Sequence, residues 1–404
     1  MELLDELYSG VFSVGAAAIQ ESFSVSHQGL VGALLLAPGL AGIAFEPVIF
    51  LLADRYSRRL FVAGGLAVMG LASAACALAP SSLMFTVAVS VSAVANSCGV
   101  ELAQATLADA HAHDRARALA RWTFFGAIGD VAAPVMVAGL ALLGFGWRGG
   151  FAVMAVVLVA WSVLLARAPF PAPSAGGCDD GDDDGDDGDE DGPALSLWAS
   201  MRTAVANRRL LGWLLATSLC DWLDEILVVL ASVHLREHMG AGAIERSLII
   251  GAYVCGSLVG LAGLERALVR FAAHRIVVVC AAACAVLFAL WLVAPTLWLS
   301  GALLALVGVA AAPLYPLTMA QSYAALPGRS GAVHAAARVL TPLSLGAPWL
   351  LAWIADHAGT GAALATILVG PITITALAAL VPSSDATGSD DRRASRRAGD
   401  GEPG

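Results

Sequence analysis

The sequence predicts an all-α membrane protein whose twelve transmembrane helices form two homologous six-helix halves, and three observations carry that prediction. Of 404 residues, 58% are hydrophobic and only 13% charged, with a mean hydropathy of +0.78, which is more apolar matter than a soluble core buries. Apolar windows long enough to cross a bilayer, about 20 residues each, recur along the whole chain. A shift of 219 positions lays the second half of the sequence on the first.

The windows fall at 4–24, 29–53, 60–79, 82–108, 118–143, 148–168, 209–235, 246–270, 275–294, 297–324, 332–355 and 361–381. Their runs of Ala, Leu and Gly are unbroken rather than alternating, which excludes the β-barrel alternative. Helices also meet their own backbone hydrogen bonds in lipid. No Arg-bearing start followed by a short apolar core marks a cleavable signal.

All 22 basic residues are Arg, and a cytoplasmic N-terminus puts 19 of them on the cytoplasmic side, with Arg148, Arg236 and Arg246 outside. Both ends are therefore expected in the cytoplasm, with the chain multi-pass in the plasma (inner) membrane. The net charge of −10 comes from residues 178–191, "CDDGDDDGDDGDED", which hold ten acids and leave 22 acidic against 22 basic residues elsewhere. That acidity belongs to a linker, and no nucleic-acid partner is expected. The seven cysteines are scattered and read as small apolar residues.

The repeat is explicit. A shift of 219 superposes Leu4-Asp5-Glu6 on Leu223-Asp224-Glu225, Ser13-Val14 on Ser232-Val233, Gly32 on Gly251 and Glu46 on Glu265; a shift of 217 superposes Ala103-Gln104 on Ala320-Gln321 and Arg121 on Arg338. The expected domains are a first half at 1–168, a cytoplasmic acidic linker at 169–208, a second half at 209–381 and a disordered tail at 382–404. Parallel halves of this kind build alternating-access carriers with a site near the midplane.

Two motifs carry a family resemblance. "LLADRYSRRL" (51–60), between helices 2 and 3, resembles the signature loop of the major facilitator superfamily, with Asp54, Arg55 and Arg58 on its acid and basic positions. "GWR" (146–148), before helix 6, is similar too. Phe50 and Ser57 stand where that pattern usually has Gly, and "GAIGDVAAP" (126–134) matches the Gly-Pro-rich motif of drug/proton antiporters only in part. The resemblance implies a twelve-helix secondary carrier moving a small solute. It also implies that helix 2 faces helix 11 and helix 5 faces helix 8. The implied gating pairs are Glu46 with Arg338 and Glu265 with Arg121, and Asp54 would latch the loop to the start of helix 11. Its repeat partner is Ala273, so the latch is one-sided.

Carboxyl groups inside spans are costly and mark candidate sites. Asp221, Asp224 and Glu225 in helix 7 share one face at i, i+3 and i+4. Three acids there cannot all stay ionised away from water, so at least one holds a proton near neutral pH, as proton coupling requires. Asp130 in helix 5 is a second candidate, with Asp5 and Glu6 as the repeat copy in helix 1. Only three residues precede Leu4, so helix 1 is expected either to lack its cytoplasmic half or to start upstream of Met1. Glu101 and Gln104 in helix 4, with Gln321 and Tyr315 in helix 10, are expected to line a polar cavity. Trp222, Tyr253 and Trp349 are aromatic candidates for the same lining, and Pro313 and Pro316 are expected to break helix 10 there.

Other motifs yield to simpler readings. "HLREH" (234–238) fits an inverted zinc-peptidase pattern but lacks a third ligand, and no metal or cofactor is expected. Asp180, Asp182, Asp184, Gly185 and Asp191 match calcium-loop offsets in a tract that would match by composition alone. "DRRASRR" (391–397) reads as a tail that touches anionic lipid. An enzyme is disfavoured because no nucleophile–base set assembles, and a primary pump because no phosphate loop is present. The expected protein is a monomeric carrier, proton-coupled, leaning to efflux of a small organic compound. A metabolite uptake symporter and a non-transporting sensor or scaffold are the alternatives.

Overall fold

The computed structural model describes residues 1–25, 36–54, 56–168, 170 and 201–380. The acidic run at 178–191 with its calcium-like offsets, the tail at 391–397, Arg55, Gly32 and the side chain of Glu225 lie outside the described residues.

Twelve helical spans among the described residues follow the apolar windows. They are α1 (Glu2–Phe23), α2 (Ala37–Ala53), α3 (Arg58–Leu78), α4 (Ser82–Ala110), α5 (Arg115–Leu142), α6 (Gly146–Arg167), α7 (Arg208–Asp221, Trp222–Ile226 and Leu227–Met239 in succession), α8 (Ala243–Arg270), α9 (Ala273–Leu292), α10 (Leu297–Ala325), α11 (Ser330–Ala358) and α12 (Thr360–Leu380). Nine of these are long and apolar enough to cross a membrane on length and composition. The other three have local reasons to differ. Acids Glu2, Asp5 and Glu6 open α1, α2 is described over 17 residues, and α7 is divided by a widened turn.

Local chemistry sets several ends. Ser81 and Thr296 cap α4 and α10 by accepting the N–H groups of Met84 and Leu299. Gly240 closes α7 in the left-handed region at φ 63°, where a Cβ would be strained. In α10 the helix breaks at Ala312–Pro313 and resumes at Leu314, because proline has no N–H to give.

Two compact units result: residues 1–207 with 327–350, and residues 208–326 with 351–404. The first half of α11 thus groups with the first unit. In that unit an aromatic core of Phe85, Trp147 and Phe151 packs with Tyr8, Leu66 and Met69. Three hydroxyls buried there find partners: Tyr8 bonds Ser92 at 2.6 Å, and Ser73 and Ser162 donate to the Phe151 and Ala63 carbonyls at 2.8 and 2.7 Å.

In the second unit α8 and α10 touch backbone to backbone. A Cβ at Gly256 or Gly260 would strike the carbonyl of Ala305 or Val309, which is how small residues bring helices together where no hydrophobic force does. Neutral polar pairs also tie this unit: Thr217 with Thr318 at 3.1 Å, and Trp291 with Ser300 at 2.7 Å.

Candidate functional site

The first unit carries a charged clamp where α2, α4 and the start of α11 meet. Arg338 Nε stands 2.5 Å from Glu46 Oε2, a close ion pair whose N–H is not aligned for a hydrogen bond. The same guanidinium grips Glu101 with its terminal nitrogen, at 2.5 and 2.6 Å from the two carboxylate oxygens. Ser97 donates to Glu46 at 2.7 Å, and His334 Nδ1 lies 3.2 Å from Glu101 Oε2. Glu46 is only 5% exposed, so its charge depends on these partners.

Local backbone shapes the clamp. Residues Ser97–Glu101 of α4 form a widened turn in which the Leu102 N–H reaches the Ser97 carbonyl five residues back. Such turns insert one residue and re-aim the side chains around them. Arg338 begins a short 3₁₀ turn within α11. Phe50, the departure from the usual Gly of the loop motif, is fully buried; it stacks on His334 at 4.9 Å and lies under the Arg338 guanidinium at 5.5 Å. The small residue needed for close approach comes from the other side. A Cβ on Gly331 would meet the Phe50 carbonyl and, at 2.6 Å, Asp54 Oδ1.

Beside the clamp lies the latch. Asp54 accepts the N–H groups of Gly331 and Ala332 at 2.9 and 3.0 Å, so its carboxylate meets the positive end of α11. Arg58 bridges Asp54 at 2.7 Å and Asp109 at 2.6 Å, and Ser330 donates to Asp109 at 2.6 Å. Burial, the larger influence, raises the Asp54 carboxyl above its ordinary pKa, while Arg58 and the two N–H groups pull it back.

A second group of acids sits where α1 packs on α5. Gly129 lets α1 in so closely that a Cβ would meet Glu6 Cβ and the Leu3 carbonyl, and Glu6 lies in hydrogen-bonding reach of Asp130. Ser9 donates to Glu6 Oε2 at 3.1 Å, and Asp5 stands beside Asn96.

In the second unit Asp224 falls within Trp222–Ile226, a turn in which the Leu227 N–H bonds the Trp222 carbonyl five residues back. Asp221 and Asp224 are both exposed on α7. Gln104 and Gln321 are buried, in the first and second units respectively, and Tyr315 is half-buried. Of the aromatic candidates Trp222 and Tyr253 are buried and Trp349 is 73% exposed. Arg121 belongs to the first unit and Glu265 to the second. In the "HLREH" stretch the His234 and His238 rings stack at 4.3 Å, and Thr360 lies 3.5 Å from each Nδ1.

Sequence reasoning placed Glu101 beside Gln104 as a cavity residue, and the structure adds its bond to Arg338. It missed Ser97, His334 and Asp109. An acid at the end of α4, an arginine at the start of α3 and a histidine one turn before Arg338 were the signals available.

Membrane helices with guanidinium–carboxylate clamps and acids in mid-span have the make-up of a carrier. The sequence profile of the Major Facilitator Superfamily matches residues 4–341, and the chain belongs to that family. Proteins of that family are multi-pass membrane transporters that carry small solutes, and they are not enzymes. "Multidrug resistance protein Stp" of Mycobacterium tuberculosis (strain CDC 1551 / Oshkosh) is 34% identical over 154 residues, which make up 37% of this chain and 28% of that protein. Among solved structures, the E. coli fucose:proton symporter FucP is similar at TM-score 0.68 and 16% identity over 95% of this chain and 97% of that one. The human organic anion transporter MFSD10 gives 0.72 and 19% over 93% and 96%, and the proton:xylose symporter XylE 0.69 and 14% over 95% and 94%. At those identities the likeness shows the fold.

Proposed function

We propose that this protein is a proton-coupled carrier that exports a small organic compound by alternating access, with Asp224 on α7 as a proton-exchanging group. The observation that carries the reading is the exposure of Asp221 and Asp224 within an apolar span, at a widened turn. A carboxyl group kept at such cost, on a face that water must reach, is suited to taking and releasing a proton. Glu6 and Asp130 supply a second pair of acids in the first unit.

The Arg338–Glu46–Glu101 clamp and the Asp54–Arg58–Asp109 latch are gating elements in this reading. They hold the start of α11 against α2 and α4, and they part when the two repeat-related halves, 1–168 and 209–381, rock. Resemblance to a multidrug resistance protein over 154 residues supports export. The positive-inside pattern supports a plasma-membrane protein with both termini cytoplasmic.

Internal pH in proteoliposomes carrying a trapped pH dye tests this directly. Organic cations, organic anions and sugars are added in turn to wild type and to Asp224→Asn/Glu225→Gln. A solute-dependent pH change that the double substitution abolishes is the expected result. Solute movement with no pH change at any pH removes the proton role and leaves a carrier.

A further inference from the structure

The widened turn in α7 releases a main-chain group that needs a partner. In a regular α-helix the Leu227 N–H would bond the Leu223 carbonyl; here it bonds the Trp222 carbonyl. The Leu223 oxygen is thereby left over inside an apolar span, where an unmet acceptor is costly. Tyr253 of α8 meets it, its hydroxyl donating to that oxygen at 2.5 Å. The tyrosine is 3% exposed and its own position is set from behind, because Gly308 of α10 lacks the Cβ that would strike the Tyr253 carbonyl.

The other copy of the repeat has no tyrosine at the matching position of its sequence. A shift of 219 puts Leu34 opposite Tyr253, and Leu34 has no group to give. Its triplet, Leu4-Asp5-Glu6, runs in an unbroken α-helix from Glu2 to Phe23. The same three residues therefore take two backbone forms.

We infer that Tyr253 is a positioning residue for Asp224: its hydroxyl holds the 222–226 turn in the widened form and so fixes the direction in which the Asp224 carboxyl points. The inference rests on the proton-exchanging role given to Asp224 above. Without the hydroxyl the Leu227 N–H returns to the Leu223 carbonyl, and the helix on one side of the turn rewinds by about 100°, one residue's worth of rotation. Asp224 then leaves the face it now occupies. The titratable neighbours that share this surrounding are Asp221 and Cys220 on α7 and Cys284 on α9.

The test compares wild type, Tyr253→Phe and Thr217→Val, the last removing a half-buried hydroxyl elsewhere in the same unit. Two readings are taken on the full-length protein. Hydrogen exchange of the peptide spanning 222–227 should change by about tenfold in Tyr253→Phe and stay at the wild-type rate in Thr217→Val. Labelling of Asp224 by dicyclohexylcarbodiimide, which attacks protonated carboxyls in apolar surroundings, should titrate with pH, and its midpoint should move by about one pH unit in Tyr253→Phe alone. Unchanged exchange overturns the lock. Changed exchange with an unmoved midpoint reduces Tyr253 to a structural residue and overturns the positioning role while the proton reading stands. Wild-type labelling that is the same at every pH removes the proton reading, and this inference with it.

Discussion

Leu4-Asp5-Glu6 and Leu223-Asp224-Glu225 are one ancestral triplet in two surroundings. The first lies in regular helix against α5, with Glu6 beside Gly129 and Asp130. The second lies in a turn whose spare carbonyl is held by Tyr253. The same contrast runs through the clamps. In the first unit, helix ends are tied by Arg338, Glu46 and Glu101 and by Asp54, Arg58 and Asp109; in the second, Thr217 with Thr318 and Trp291 with Ser300 are neutral. These charged ties join α2, α3 and α4 of the first copy to α11 of the second. Charge suits contacts that must break, since separated charges regain water, whereas neutral bonds and backbone contact suit those that stay.

That contrast can be broken most sharply at Arg338. Arg338→Met strands two carboxylates and should cost about 3–5 kcal/mol, read by thermal unfolding in detergent. The Glu46→Arg/Arg338→Glu swap should recover only part of the lost transport, because the new acid faces Glu101; adding Glu101→Gln should recover more. Full recovery by the two-residue swap would show that Glu101 matters little.

At the triplets, Asp224→Asn should lower solute-driven proton movement about 100-fold, and Asp5→Asn less than tenfold, since the first copy is not turned out by a widened turn. Equal losses would erase the functional difference between the copies. Smaller still is Gly331→Ala, which forces the Phe50 carbonyl and Asp54 apart for about 1–3 kcal/mol, measured by unfolding. Thr217→Val, in the neutral set, should cost about 1 kcal/mol. A Thr217→Val loss as large as that of Arg338→Met would end the distinction between the two kinds of tie.

Much of the site was legible residue by residue. Asp54 and Arg58 were marked by the loop between helices 2 and 3, and Glu46 and Arg338 by the resemblance joined to the repeat. Asp109, Ser97 and His334 were not marked, because each acquires its meaning from a neighbour more than 50 residues away. Glu101 was marked as a cavity residue one turn from Gln104, and its contact with Arg338 was not read. Helical periodicity says which face a residue shares, and it is silent on which other helix meets that face.

The sequence by itself determined the twelve spans, the duplication and the positions of the costly charges, because span length and apolar content are local properties and a buried carboxyl is visible wherever it stands. Only the tertiary structure decided that one triplet is regular and the other widened. An α-helix and a π turn differ by a single main-chain hydrogen bond, and at the second triplet Tyr253, 30 residues along the chain, donates to the Leu223 carbonyl.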